Sequence, residues 1–226
     1  MNPTDLDSES SVSTPAEDRP PRKSSRPAVI LTVGLWGVAV VTGMGLMLFY
    51  EKNPGRAAEA PSRWPAASRI ARQPGRSTLL MIMHPRCPCS SASVEQLERV
   101  LTRIQRPLQA VVLMVRPAGT PPGWERTPLW NQVAAIPNVA VMTDAQGIEA
   151  ARFGSWTSGQ VLLYDDAGCL RFSGGITGSR GMAGDNAGEQ AARAQIESAA
   201  ARGVAGSSVY GCELGAPDGA APGASR

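Results

Sequence analysis

The sequence predicts an α/β domain with a mainly parallel central sheet and helices on both faces, following one N-terminal transmembrane helix. Three observations predict it. Ala28 to Tyr50 is an uncharged apolar run of 23 residues. Residues 76–214 alternate strand-like and helix-like patterns. The first such strand ends in a turn, Cys87-Pro88-Cys89, that leads directly into the first helix.

The apolar run AVILTVGLWGVAVVTGMGLMLFY, as a helix rising ~1.5 Å per residue, spans ~34 Å, enough for a bilayer core of ~30 Å. It is longer and more uniformly apolar than a core helix needs. A cleaved signal peptide has an apolar region of only ~7–15 residues. The one small-residue cleavage pattern, Ala58-Glu59-Ala60, lies too far beyond the run. The sequence therefore reads as an uncleaved anchor. Arg19, Arg22, Lys23 and Arg26 precede it, against Lys52, Arg56 and Arg63 after it. The positive-inside rule then places the N-terminus in the cytoplasm and residues 51–226 outside, a periplasmic or extracytoplasmic location. Residues 1–27, rich in Ser, Pro and acids, read as a disordered cytoplasmic tail. Residues 51–75 read as a Pro/Ala/Arg linker, and 215–226 as a second disordered tail.

Within 76–214 each element has its own signal. Thr78–Met83 is a continuous apolar run suited to a strand covered on both faces. Val94, Leu97, Val100, Leu101 and Ile104 keep helical spacing over Ser90–Arg103. Leu108–Val115 is a second buried strand. Trp124–Ile136 predicts a helix, Val139–Met142 a short strand and Gly147–Phe153 a short helix. Val161–Tyr164 and Leu170–Ser173, around a turn at Asp165–Gly168, predict a hairpin. Ala187–Arg202 is Ala-rich and predicts a last helix, with Asp185 as its cap. Such alternation argues for a mainly parallel sheet, with the hairpin adding an antiparallel edge.

Composition narrows the function. Residues 1–27 carry net charge −1 and the residues after 50 carry +4, with Lys nearly absent and Arg scattered. Phosphate backbones call for clustered Lys and Arg, so no nucleic-acid partner is expected. Four cysteines are too few for a disulfide scaffold at 226 residues, and two of them are one residue apart. That points to chemistry.

Cys87 and Cys89 lie at the carboxyl end of a strand, where open α/β sheets gather their sites. With Cys87 at the N-cap, Pro88 would sit at N1, where its missing N–H costs nothing. The helix N-terminus and Arg86 would then favour thiolate at Cys87. Cys87 is thus the predicted attacking thiol and Cys89 the resolving one. The one-residue gap forces a small disulfide ring, and strained disulfides are more oxidising. A metal alternative uses His84, Cys87 and Cys89, with Cys212 as a further sulfur, a soft ligand set for Cu(I) or Zn(II). Cys169 and Cys212 could pair with each other, or Cys212 could approach the active pair as a third thiol.

These residues carry a resemblance. The segment Phe153-Gly154-Ser155-Trp156-Thr157-Ser158-Gly159-Gln160-Val161-Leu162-Leu163-Tyr164-Asp165, with the strand and cysteine pair before it, resembles membrane-tethered redoxins of the TlpA/ResA type. His84-Pro85-Arg86-Cys87-Pro88-Cys89, Arg116-Pro117-Ala118-Gly119, Trp124-Glu125-Arg126-Thr127, Phe172-Ser173-Gly174-Gly175-Ile176-Thr177 and Gly184-Asp185-Asn186-Ala187-Gly188 are similar to the bacterial RedB proteins. The resemblance covers about residues 76–214. It implies a thioredoxin-like fold with an inserted α-β unit, and a periplasmic thiol–disulfide oxidoreductase acting on protein thiols with no required cofactor. Only Cys87 and Cys89 carry over as catalytic. Two features depart from that wider superfamily: the shortened cysteine spacing, and Thr157-Ser158-Gly159 where a cis-proline usually faces the cysteines. The second departure favours the metal alternative. A redox-inactive, tethered interaction domain is the third reading.

Three further groups are read as structural. Trp124 is read as a packing residue at a helix start, Asp144 and Glu149 as solvated surface, and the glycine-rich stretch around Arg180 as a flexible connection.

Overall fold

The computed structural model describes residues 26–198 and 203–215. The tails read as disordered lie outside the described residues, except for Arg26, Pro27 and Gly215. The chain forms two compact units, residues 1–45 and 46–226. In the first lies most of α1 (Arg26–Lys52), a helix with mean hydropathy 2.0 over its most apolar stretch. It is long and apolar enough to cross a membrane, a property it shares with signal sequences near an N-terminus.

The second unit is one six-stranded mixed sheet. Its elements are β1 (Ser77–Met83), α2 (Ser90–Arg103), β2 (Leu108–Arg116), α3 (Pro128–Ala134), β3 (Val139–Ala145), α4 (Ile148–Arg152), β4 (Gln160–Tyr164), β5 (Leu170–Gly174), α5 (Ala187–Glu197) and β6 (Ala205–Gly206). The strand order is β3-β2-β1-β4-β5-β6. β1, β2 and β3 run parallel, β4 pairs antiparallel with both β1 and β5, and β6 lies parallel beside β5. The hairpin β4–β5 is therefore inserted next to the central β1 and supplies two of the six strands.

β1 is apolar on both faces because both faces are covered. Leu79, Met81 and Met83 pack with Val112, Met114, Val161, Leu163 and Phe172 under α2, α3 and α5. Leu80 and Ile82 join Val111, Leu113, Leu162 and Tyr164 on the other face. Among the described residues, that second face has only the short α4 as a helix. The rest of its cover comes from Phe153, Ile70, Trp64 and Leu214. Trp64 meets Phe153 and Tyr164 edge-to-face, with centroids 4.9 and 5.2 Å away. Residues 51–75, read as a linker, hold no strand and no helix beyond Lys52. They run along the domain: Glu59 N–H donates to Gly154 O (2.9 Å), Trp64 N–H to Gly168 O (2.8 Å), and the Tyr164 hydroxyl to Pro61 O (2.9 Å).

Local chemistry moves several element ends from their predicted places. α3 begins at Pro128, in the first turn where proline is tolerated, so Trp124 lies outside the helix. α5 is capped by Asn186, whose side chain accepts Glu189 N–H. Asp185 instead pairs with Arg99 and Arg103, at 3.2 Å each. α5 ends at Glu197, and the predicted extension to Arg202 runs into residues outside the described set. Asp144 and Glu149 are buried, not solvated (2% and 6% exposed). Asp144 accepts the N–H groups of Glu149 and Ala150 at the start of α4. Glu149 accepts the Ser68 hydroxyl and pairs with Arg152.

Candidate active site

Cys87 lies in the turn between β1 and α2, and the cap position of α2 falls to Cys89, not Cys87. The reason is local. Pro88 follows Cys87 in a tight turn closed by Ser90 N–H on Cys87 O (3.1 Å), and regular helix begins only after it. Cys87 thus sits one turn before the helix, and its environment comes from elsewhere. Ser158, just before β4, ties the strand end to the helix start: its hydroxyl accepts His84 N–H (2.8 Å) and meets the Ser90 hydroxyl at 3.0 Å. Gly159 follows with φ +87°, a conformation that favours glycine. Its N–H donates to Ile82 O (2.8 Å). No cis peptide bond occurs among the described residues.

The third thiol is Cys212. Its Sγ is 2.7 Å from Cys87 Sγ, while Cys169 stands apart in a backbone bridge with Arg63. All four cysteines are free thiols. Cys87 is 5% exposed, and Cys89 and Cys212 are half-buried.

Electrostatics sort the three sulfurs. Burial alone would raise the Cys87 pKa. Hydrogen bonds from the Cys212 thiol, from Ser90, and from the backbone of Cys212 and Cys89 outweigh it and hold Cys87 below the usual thiol range. Once Cys87 ionises, the Cys212 thiol is the group placed to donate to it. Burial and the Cys87 charge push Cys89 up, with Arg180 pulling the other way. Burial, the bond to Cys87 and the charges of Cys87 and Cys89 push Cys212 up to about 12. Cys87 is therefore the most easily ionised of the three, by hydrogen bonding to a neighbouring segment and not through an N-cap position.

The cation at the site is also not the one the sequence suggests. Arg86 is exposed and stacks over the Trp124 ring (4.4 Å). Arg180 lies by Cys89 and Cys212, and its guanidinium donates to Gly211 O and to Asn53 O (3.3 Å). The glycine-rich stretch thus delivers a fixed side chain. Its only sequence signal is an arginine among glycines. Trp124 rims the site, packing edge-on against His84 with centroids 5.6 Å apart.

His84 turns one ring nitrogen to its own loop. Its Nδ1 accepts Arg86 N–H (3.2 Å), and burial followed by Arg86 lowers its pKa. Among the described residues no three His, Cys, Asp or Glu side chains are grouped to hold a metal ion. The Cys87–Cys212 pair offers two soft sulfur donors without a grouped third.

Gly211 makes the approach of Cys212 possible. A Cβ there would stand 1.9 Å from Ser158 O, backbone that cannot swing aside. Gly211→Val is expected to lift this segment off Ser158. A clash costing about 1–3 kcal/mol raises the open fraction about 5- to 150-fold. Cys87 alkylation by a bulky maleimide, followed by mass spectrometry, should accelerate in step. An unchanged rate would mean that the segment does not cover Cys87.

No family profile matches this chain, and no curated protein does. Solved structures do. A hypothetical protein from Sinorhizobium meliloti is 18% identical, with TM-score 0.52, over 74% of this chain and 96% of its own. An uncharacterized conserved protein from Geobacillus kaustophilus is 15% identical, with TM-score 0.45, over 64% and 80%. A secreted Mycobacterium tuberculosis disulfide oxidoreductase is 17% identical, with TM-score 0.39, over 54% and 81%. In this chain a parallel β-α-β half is joined through β1 and β4 to a β-β-α half. The fold is thioredoxin-like. The α3–β3 pair is the insertion in it, and the cysteines occupy the end of β1.

Proposed function

We propose that this chain is a membrane-anchored thiol–disulfide oxidoreductase acting on protein thiols outside the cytoplasm, with Cys87 as nucleophile and Cys89 beside it in the Cys-Pro-Cys pair. The observation that carries the reading is Cys87 itself. Its sulfur is the most easily ionised of the three, faces Cys212 Sγ at 2.7 Å, and lies in a turn at the carboxyl end of the central strand with Cys89 two residues on. The resemblance of the flanking motifs to RedB proteins supports the same activity and a periplasmic domain anchored by residues 28–50. Attack by Cys87 on a substrate disulfide gives a mixed disulfide, which a second thiol resolves.

The test uses the full chain in detergent, with a protein disulfide as substrate and a dithiol as electron source. Cys87→Ser is expected to reduce turnover to the uncatalysed background. Wild-type turnover should rise with pH as Cys87 ionises and level off below the ordinary thiol value of 9.0, since its pKa is lowered. The same depression gives a stability contribution that is full above the unfolded thiol's pKa. It fades as pH falls through the folded one. Unchanged turnover in Cys87→Ser would rule the reading out. The alternative, delivery of Cu(I) or Zn(II), would show as stoichiometric metal on the reduced wild type, absent from the Cys87→Ser and Cys89→Ser variants.

A further inference from the structure

The segment carrying Cys212 is fixed on both sides of its sulfur. Val209 is buried and its carbonyl accepts Gly55 N–H (2.8 Å). Cys212 O accepts Ser158 N–H (2.8 Å), and Leu214 N–H donates to Trp156 O (2.9 Å). Thr157 and Glu213 form an antiparallel bridge between these two bonds. Leu214 is buried in the second core, and Arg180 holds Gly211 O. An extended piece of chain has thus added itself to the free backbone edge of Trp156–Ser158, the mode in which an edge takes a peptide. It brings a cysteine onto Cys87 as it does so.

We propose that Cys212 is the thiol that closes the internal disulfide with Cys87. The inference rests on the reading of Cys87 as nucleophile and changes the identity of its partner. The two sulfurs are 2.7 Å apart, and a formed bond needs ~2.05 Å. Bond formation therefore asks less than about 1 Å of travel from two elements already in register. Closing Cys87 on Cys89 instead requires a small ring through Pro88, at a place where the Ser90 N–H bond already sets the turn.

The chemistry balances as two exchanges. Cys87 thiolate attacks one sulfur of a disulfide RS–SR, a Cys87–SR bond forms as the RS–SR bond breaks, and RS⁻ leaves. Cys212 gives up its proton, attacks Cys87 Sγ, forms the Cys87–Cys212 bond and expels the second RS⁻. Two electrons pass from the two cysteines to RS–SR; one departing thiolate takes the proton that Cys212 gives up, and the other is protonated by water. An external dithiol returns the pair to its reduced form. Cys89, which interacts with Arg180 as well as with Cys87, takes no covalent part in this cycle.

The test is a disulfide map of the full chain in detergent. It is oxidised with glutathione disulfide, quenched in acid, alkylated and digested with trypsin. The expected product is peptide 87–99 joined to peptide 203–226. The link should persist in Cys89→Ser and vanish in Cys87→Ser. An unlinked 87–99 with an internal Cys87–Cys89 bond overturns the inference. So does 203–226 joined to 153–171, which carries Cys169. Failure of the nucleophile itself reads differently: the chain with both Cys89→Ser and Cys212→Ser then carries no glutathione on Cys87. A Cys212→Ser chain that melts like the wild type but holds glutathione on Cys87 far longer than Cys89→Ser does gives a second, independent confirmation. If Cys89→Ser is the slower of the two, the assignment is wrong.

Discussion

A full chain carrying Cys89→Ser and Cys212→Ser together is expected to hold its protein substrates covalently through Cys87. Both thiols within reach of Cys87 are removed, so a mixed disulfide has no internal route to collapse. Its lifetime should then approach the minutes to hours of uncatalysed disulfide rearrangement. Serine is close to cysteine in size, and its hydroxyl can still donate to Cys87, so the hydrogen bond that favours ionisation of the nucleophile is kept. In non-reducing gels of membranes expressing the variant, new bands should appear that collapse on reduction and are missing when Cys87→Ser is added. Bands equal in the two variants would mean that Cys87 forms no adducts and that the oxidoreductase reading fails. The single variants divide the effect: whichever serine alone prolongs the adduct names the resolving thiol.

Phe153→Ala is expected to cost about 3–5 kcal/mol of unfolding free energy, the range for emptying a buried aromatic site. Phe153 is fully buried, between Trp64 at 4.9 Å and Tyr164 at 5.9 Å. The cavity cannot close easily. One wall is the sheet, and the other is a strap without regular structure, held by Glu59 on Gly154 and Pro61 on Tyr164. For a domain of this size such a loss is a large share of total stability. Thermal and urea unfolding of the detergent-solubilised chain would measure it, with Phe153→Leu as a milder comparison. A loss below about 1 kcal/mol, the scale of an ordinary substitution, would show that the strap contributes little to this face.

β1 and β2 were legible because they are buried on both faces: Leu79 to Met83 and Val111 to Val115 are unbroken apolar runs of strand length. Helix α2 was legible from its one-sided spacing. The site was legible in its two adjacent cysteines and its place at a strand end. Its third sulfur and its cation were not. Cys212 reaches Cys87 through pairing of 212–214 with Trp156–Ser158, and Arg180 is fixed by Gly211 O and Asn53 O, contacts between segments far apart in sequence, which no local period records. β6 escaped for a related reason: two residues carry no alternation. The buried Asp144 and Glu149 looked like surface because the backbone N–H groups and Arg152 that satisfy them are invisible until the chain folds. Trp124 was assigned to a helix that Pro128 starts later.

Leu214 has a consequence for biosynthesis. It completes the second core beside Leu80 and Ile70, yet every strand from β1 to β6 precedes it in the chain. A polypeptide emerging in order from a ribosome or a translocon builds the sheet first and receives this piece afterwards. In that interval Cys87 stands uncovered while Cys169 has already arrived and Cys212 has not. Nascent chains should therefore be most open to wrong pairing between Cys87 and Cys169 just before maturation finishes, and an isomerase would find its work there.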